Sequence, residues 1–227
     1  MSRFPRVGIL GGTLDPIHQG HVEAALASRD AFALDDVRVV PSRVPPHRAI
    51  QPVASACHRF AMAALAVNGL DGLVASDDEL QAPGPSYTAD TLERLHGRGL
   101  DASQIFFITG ADAFAEIATW RRYPEVLDLA RFIVVSRPGL RVHALRERLP
   151  HLAARMHAAD EASGARDQHT IFLLDAATPD VSSTIIRERL RTGRPVTGLV
   201  PAAVERHIIQ HGLYAAGVPA NQLHGQN

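Results

Sequence analysis

The chain has 227 residues, 46% of them hydrophobic and 21% charged, the balance of a globular protein with a substantial core. A formal net charge of -1 excludes a protein that grips long nucleic acid by general electrostatics, so any phosphate binding has to be local. The single cysteine, Cys57, excludes an intramolecular disulfide framework and a multi-cysteine zinc site; no apolar run approaches the ~20 residues of a bilayer span and no leader pattern opens the chain, so a cytoplasmic protein without nucleic-acid or membrane partners is expected.

Residues 7–10 are a short apolar run that stops at Gly11-Gly12, the pattern of a buried strand feeding a tight turn. A helix is predicted over 17–32, where Val22, Ala25, Leu26, Ala27 and Phe32 recur at roughly helical spacing, and a second strand over 36–40. Strand, helix and strand so close together form a βαβ unit, which closes right-handed onto a parallel sheet. The alternation continues with a helix at 58–67, a strand at 73–75, a helix at 89–96, strands at 104–109, 131–135 and 170–174, and a helix at 183–190. Residues 41–52 and 77–88 are too irregular for core elements and read as long surface loops, while 158–168 reads as a mobile insertion. No polar linker divides the chain, so one domain is expected over 1–214, with 215–227 as a flexible tail. The order predicts an α/β fold: a doubly wound, Rossmann-like parallel sheet with helices on both faces, its ligand beyond the carboxyl ends of the strands.

Two segments carry chemistry. The first runs Gly11-Gly12-Thr13-Leu14-Asp15-Pro16-Ile17-His18-Gln19-Gly20-His21, directly after a strand and into a helix. Glycines let a backbone turn and come close to a ligand, and a helix N-terminus offers free N–H groups to an anion. His18 and His21 stand three apart, on one side of a first helical turn, where an imidazole can donate a hydrogen bond or carry charge to a phosphate. A metal held by the same pair is the alternative, with Asp15 or Glu23 as third ligand. The second segment, Ser182-Ser183-Thr184-Ile185-Ile186-Arg187, places hydroxyls at a helix N-cap and a guanidinium one turn later, able to point back at the anion the helix start receives.

The first segment resembles the His-x-Gly-His signature of the nucleotidyltransferase superfamily, with Leu14 where that superfamily often has an aromatic residue. The second is similar to its Ser-Ser-Thr-x-x-Arg motif, and within the superfamily the chain looks like the bacterial nicotinate-nucleotide adenylyltransferases from about Val7 to Tyr214. Four further segments carry this: Pro45-Pro46-His47-Arg48, Pro85-Ser86-Tyr87-Thr88, Gly110-Ala111-Asp112 and Thr119-Trp120-Arg121-Arg122-Tyr123, along with Ser136-Arg137-Pro138-Gly139. The family often has an aromatic residue or Lys where this chain has Arg121.

The resemblance implies transfer of AMP from ATP to nicotinate mononucleotide, with His18, His21 and Arg187 as catalytic residues. It implies ATP contacts from Gly11, Gly12, Thr13, His18, His21, Gly110, Asp112, Ser182, Ser183, Thr184 and Arg187. Mononucleotide contacts are implied for Asp15, His47, Arg48, Tyr87, Thr88, Trp120 and Arg137, and Mg2+ is expected to accompany ATP. Competing expectations are a superfamily relative using pantetheine phosphate, flavin mononucleotide or a cytidylyl donor, a non-catalytic nucleotide-binding regulator, and a His-metal hydrolase.

Overall fold

The computed structural model describes residues 5–46, 52–137, 139, 141–161 and 169–216. Seven strands, β1 (Val7–Gly12), β2 (Asp36–Pro41), β3 (Leu73–Ala75), β4 (Ile105–Gly110), β5 (Arg131–Val135), β6 (Met156–Ala158) and β7 (Ile171–Leu174), pair in parallel in the order β3-β2-β1-β4-β5-β7-β6. The connecting helices are α1 (Gln19–Phe32), α2 (Ala56–Val67), α3 (Asp78–Gln81), α4 (Thr88–Gly97), α5 (Ala111–Ala115), α6 (Leu145–Arg148), α7 (Ser183–Arg191) and α8 (Ala202–Gln210).

Strand residues alternate between two cores, because successive side chains of a strand leave opposite faces of the sheet. Phe106, Ile108, Ile133, Val135 and Phe172 join the core beneath α1, α2, α7 and α8. Ile105, Phe107, Phe132, Val134 and Leu173 join a second core with Leu92 and Leu95 of α4 and Phe114 of α5. Both faces are therefore covered, which is why these strands read as unbroken apolar runs. The rings of Phe32, Phe106 and Phe172 gather at the centre of the first core, Phe32 standing 4.8 Å from Phe172.

Local sequence sets the helix boundaries. The Ser55 hydroxyl accepts from the His58 amide at 3.3 Å and starts α2, and Ser182 accepts from the Ile185 amide at 3.2 Å and starts α7. α1 stops where Ala33 enters the left-handed region at φ 46°.

Several expectations change. β1 runs through Gly11 and Gly12, which pair with Val40 and Pro41, so the turn falls after them over 13–17, with Leu14 at φ 51°. The stretch 77–88 contains α3, and Ala158 ends β6 instead of opening a loop. α5 and α8 form where no helix was predicted: α5 is one turn long, and α8 is recognisable chiefly by its packing against α2. Residues 162–168 and 217–227 lie outside the described residues. Among the described residues, no helix is long and apolar enough to cross a membrane.

Candidate active site

From β1 the chain moves outward to β2 and β3, whereas β4 flanks β1 on its other side, so the loops leaving β1 and β4 diverge. Such a switch point opens a crevice at the carboxyl ends of the strands. A cavity of about 600 Å3 lies there, a size suited to nucleotide-like ligands. Its wall combines Gly11 and Gly12 at the end of β1, Thr13 after it, Thr109 and Gly110 at the end of β4, His21 of α1 and Ser183 of α7. Tyr87, Thr88, Asp112, Trp120 and Arg137 close the other side.

The glycines serve different ends. A Cβ on Gly11 would meet Phe107 at 3.5 Å and one on Gly12 would meet Leu14 at 3.5 Å, both ordinary contacts. Protein packing therefore does not require either glycine, and the space a side chain would take belongs to the cavity. At Gly110 a Cβ would lie 2.5 Å from Asp112 Oδ1 and 2.9 Å from Arg137 Nε, so a larger residue there would displace the two side chains that flank the end of β4.

His18 is the N-cap of α1, and its amide donates to His21 Nδ1 at 3.3 Å. With Nδ1 accepting, the neutral His21 ring carries its proton on Nε2, which makes that nitrogen a donor. The two rings stack with centroids 3.7 Å apart, and His18 Nδ1 is buried without a hydrogen-bond partner among the described residues. Burial, and secondarily the charge of Arg137, lower the His18 pKa to about 3. Burial, then His18 and Arg137, hold His21 well below the usual histidine range. Of the two roles open to these imidazoles, the free protein presents an uncharged donor at His21 on the cavity wall, whereas His18, 2% exposed, does not line the cavity. Positive charge comes instead from Arg137 on the cavity wall and from Arg187.

The second segment docks directly on the first. Ser183 Oγ donates to the Pro16 carbonyl at 2.8 Å, and Arg187 Nη1 donates to the Asp15 carbonyl at 2.6 Å. Ser182 caps α7, and Arg187 with Thr184 lines a groove of about 500 Å3 on the other side of the first turn of α7 from Ser183. Arg187 thus braces the histidine loop from beside the main cavity.

Asp15, expected at the mononucleotide, is only 3% exposed and does not line the cavity. Its carboxylate accepts from the amides of Val53 at 2.9 Å and Ala54 at 3.1 Å and from the Tyr214 hydroxyl at 2.7 Å. Such a carboxylate has its oxygens committed to holding the loop. His47 and Arg48 lie outside the described residues.

Arg59, Glu79 and Tyr214 escaped the sequence reading. Arg59, 1% exposed, donates to the carbonyls of Thr13, Ser42, Arg43 and Ala54, tying the loop after β1 to the loop after β2. Its signal was available, since an arginine shares one helical face with Met62, Ala63 and Ala66. Arg121 lies over the Tyr87 ring at 4.5 Å, and the Trp120 ring stands edge-on to Phe107 at 5.9 Å, so both aromatic rings are held in place at the cavity. Glu79 also lines the cavity, its pKa raised chiefly by burial, with Oε1 accepting from Thr91 at 2.7 Å. Tyr214 was not predicted to matter, and no local pattern announces a phenol that reaches back to Asp15.

The sequence profile of the cytidylyltransferase-like family matches residues 9–189. The chain is 40% identical over 217 residues to the "Probable nicotinate-nucleotide adenylyltransferase" of Desulfatibacillum aliphaticivorans, covering 92% of this chain and 99% of that one. It is 41% identical over 214 residues to the protein of the same name from Roseiflexus sp. (strain RS-1), covering 94% of this chain and 100% of that one. The structure is similar to Plasmodium falciparum nicotinic acid mononucleotide adenylyltransferase complexed with NaAD, with a TM-score of 0.69 at 17% identity, covering 92% and 97% of the two chains. At that identity the likeness speaks for the fold alone.

Proposed function

Because the chain belongs to the cytidylyltransferase-like family, we propose that its switch-point cavity joins AMP from ATP to nicotinate mononucleotide, giving nicotinate adenine dinucleotide and pyrophosphate. The observation that carries this reading is the meeting of Ser183 and Arg187 with the turn at 15–16, which ties two segments distant in the chain together, Ser183 on the wall of the cavity and Arg187 beside it.

In the proposed reaction an oxygen of the mononucleotide 5′-phosphate attacks the α-phosphorus of ATP in line. The bond from that phosphorus to the β-phosphate oxygen breaks, and pyrophosphate leaves. The attacking phosphate is already anionic at neutral pH, so no general base is needed, and the protein's task is positioning and charge stabilisation. His21 Nε2 and the first-turn amides of α7 act as donors, Arg137 and Arg187 supply positive charge, and the glycine floor lets the triphosphate approach the backbone. An arriving triphosphate also favours protonation of His18 and His21, which strengthens the grip as charge builds on the phosphates. Trp120, Tyr87 and Thr88 are assigned to the nicotinate end.

Mg2+ is proposed to enter with the ATP phosphates and to neutralise part of their charge. Among the described residues, the carboxylates near the cavity do not gather as a cage for it: Asp15 is committed to backbone and phenol donors, and Asp112 lies 3.9 Å from Arg137. No step is therefore assigned to an ion held by the chain.

The test is pyrophosphate release by the purified chain with ATP, Mg2+ and each of four acceptors: nicotinate mononucleotide, nicotinamide mononucleotide, pantetheine phosphate and flavin mononucleotide. The reading expects kcat/KM to be highest for nicotinate mononucleotide. Preference for another acceptor overturns the substrate, and ATP binding without pyrophosphate from any acceptor overturns the enzyme.

A further inference from the structure

The metal alternative raised for His18 and His21 does not assemble there: among the described residues, neither Asp15 nor Glu23 brings a ligand atom together with both imidazoles. Among the described residues, the group able to hold an ion lies elsewhere and consists of His58, His207 and His211. We propose that these three histidines form a zinc-class divalent metal site that staples α8 to α2.

The geometry comes first. One ligand nitrogen from each ring can be chosen so that all lie within 4.8 Å of one another, and His58 Nδ1 stands 3.1 Å from His207 Nε2. Two nitrogens bound to one tetrahedral Zn2+ at about 2.05 Å lie about 3.3 Å apart, so this pair already has the spacing of co-ligands. His207 and His211 are four apart, on one face of α8 and its C-cap, the spacing by which helical histidine pairs bind zinc. The third ring is the exposed one, free to close the remaining distance by side-chain rotation. Three imidazoles and a water complete the usual coordination, and an all-nitrogen donor set selects Zn2+ over Mg2+.

The chemistry agrees. Three rings packed at centroid distances of 4.4 to 5.2 Å are a poor arrangement for cations and a good one for ligands.

The site also has a consequence for the cavity. α2 begins just after Val53 and Ala54, whose amides hold the Asp15 carboxylate, and α8 leads directly into Tyr214, whose hydroxyl holds the same group. A metal between the two helices clamps both supports of Asp15 together, so the role is one of positioning, remote from the reacting phosphates.

The experiment uses the full chain without any histidine tag, stripped with a chelator and titrated with Zn2+ by calorimetry, with Mg2+ as control. One Zn2+ per chain is expected, with a Tm rise of roughly 5–10 °C at a zinc concentration 100 times Kd. His211→Ala removes an exposed side chain at a helix end; it is expected to keep the metal-free Tm and to lose at least tenfold in zinc affinity, as is His58→Ala. His21→Ala is expected to bind zinc as the parent does. Co2+ in place of Zn2+ is expected to give the intense visible absorption of a tetrahedral site. Absence of saturable binding, affinity unchanged in His211→Ala, loss of zinc in His21→Ala, or a pale octahedral Co2+ spectrum would each overturn the proposal.

Discussion

The guanidinium of Arg187 donates to the main-chain oxygen of Asp15 at 2.6 Å, a single bond that joins positions 172 residues apart in the chain. The same side chain reaches Thr184 Oγ1 at 3.3 Å, so its fork is held in a fixed direction beside the cavity. Arg187→Ala removes both the brace and a positive charge beside the cavity proposed to hold the phosphates. We expect kcat to fall by ~10²-fold or more, the size typical of losing one preorganised donor. Single-turnover kinetics and a thermal melt separate the two contributions: a lowered Tm with unchanged kcat takes Arg187 out of the reaction.

Acid should unfold this protein through its histidines before its carboxylates. The His18 pKa falls from 6.5 to about 3 on folding and that of His21 moves in the same direction. Between those values the unfolded chain binds protons that the native state refuses, so stability is full above pH 6.5 and is lost as pH falls. Each such histidine contributes up to about 1.4 kcal/mol per pH unit. Urea melts from pH 7 to pH 5 should show this slope, and His18→Gln should flatten it. An identical slope in the variant would mean that His18 is readily protonated in the folded protein.

Tyr214 donates to a buried carboxylate at 2.7 Å. Tyr214→Phe keeps the ring and deletes that bond, leaving Asp15 with one donor fewer in a buried place. A loss of roughly 1.5–3 kcal/mol is expected from denaturant unfolding, the range for hydrogen bonds to charged groups. A change below about 0.5 kcal/mol, the scatter of ordinary surface substitutions, would show that water replaces the phenol without cost.

Trp120 is the sole tryptophan of the chain and lines the cavity, so its fluorescence reports on that wall alone. Nicotinate mononucleotide should quench it in a saturable titration, and Trp120→Ala should raise KM for the mononucleotide by roughly tenfold, one stacking contact of ~1–1.5 kcal/mol. KM for ATP should stay as it is. A rise in KM for ATP alone would place the ring at the other substrate.

The strands at 73–75 and 131–135 and the start of α7 at Ser183 were legible to the residue, because apolar runs and hydroxyl caps act on their immediate neighbours. The cavity-lining residues Gly11, Gly12, Gly110, Ser183 and Trp120 were legible too, since each sits at the end of a strand or the start of a helix that a doubly wound sheet gathers at one edge. Gly11 and Gly12 show where local reading stops: their composition suggested a turn, but β2 extends through Pro41 and offers them partners, so the ladder continues.

The sequence by itself thus determined the strand order's raw material, the two segments that meet at the candidate site and the absence of a large charge imbalance. Only the tertiary structure decided that the buried Asp15 carboxylate is held by two amides and a phenol, that Arg59 binds four carbonyls across two loops, and that His58 meets His207 and His211. The reason is physical. Caps and apolar periodicity depend on residues a few positions away, whereas the partner of a buried charge is chosen by whichever distant backbone the packed helices bring within hydrogen-bond reach.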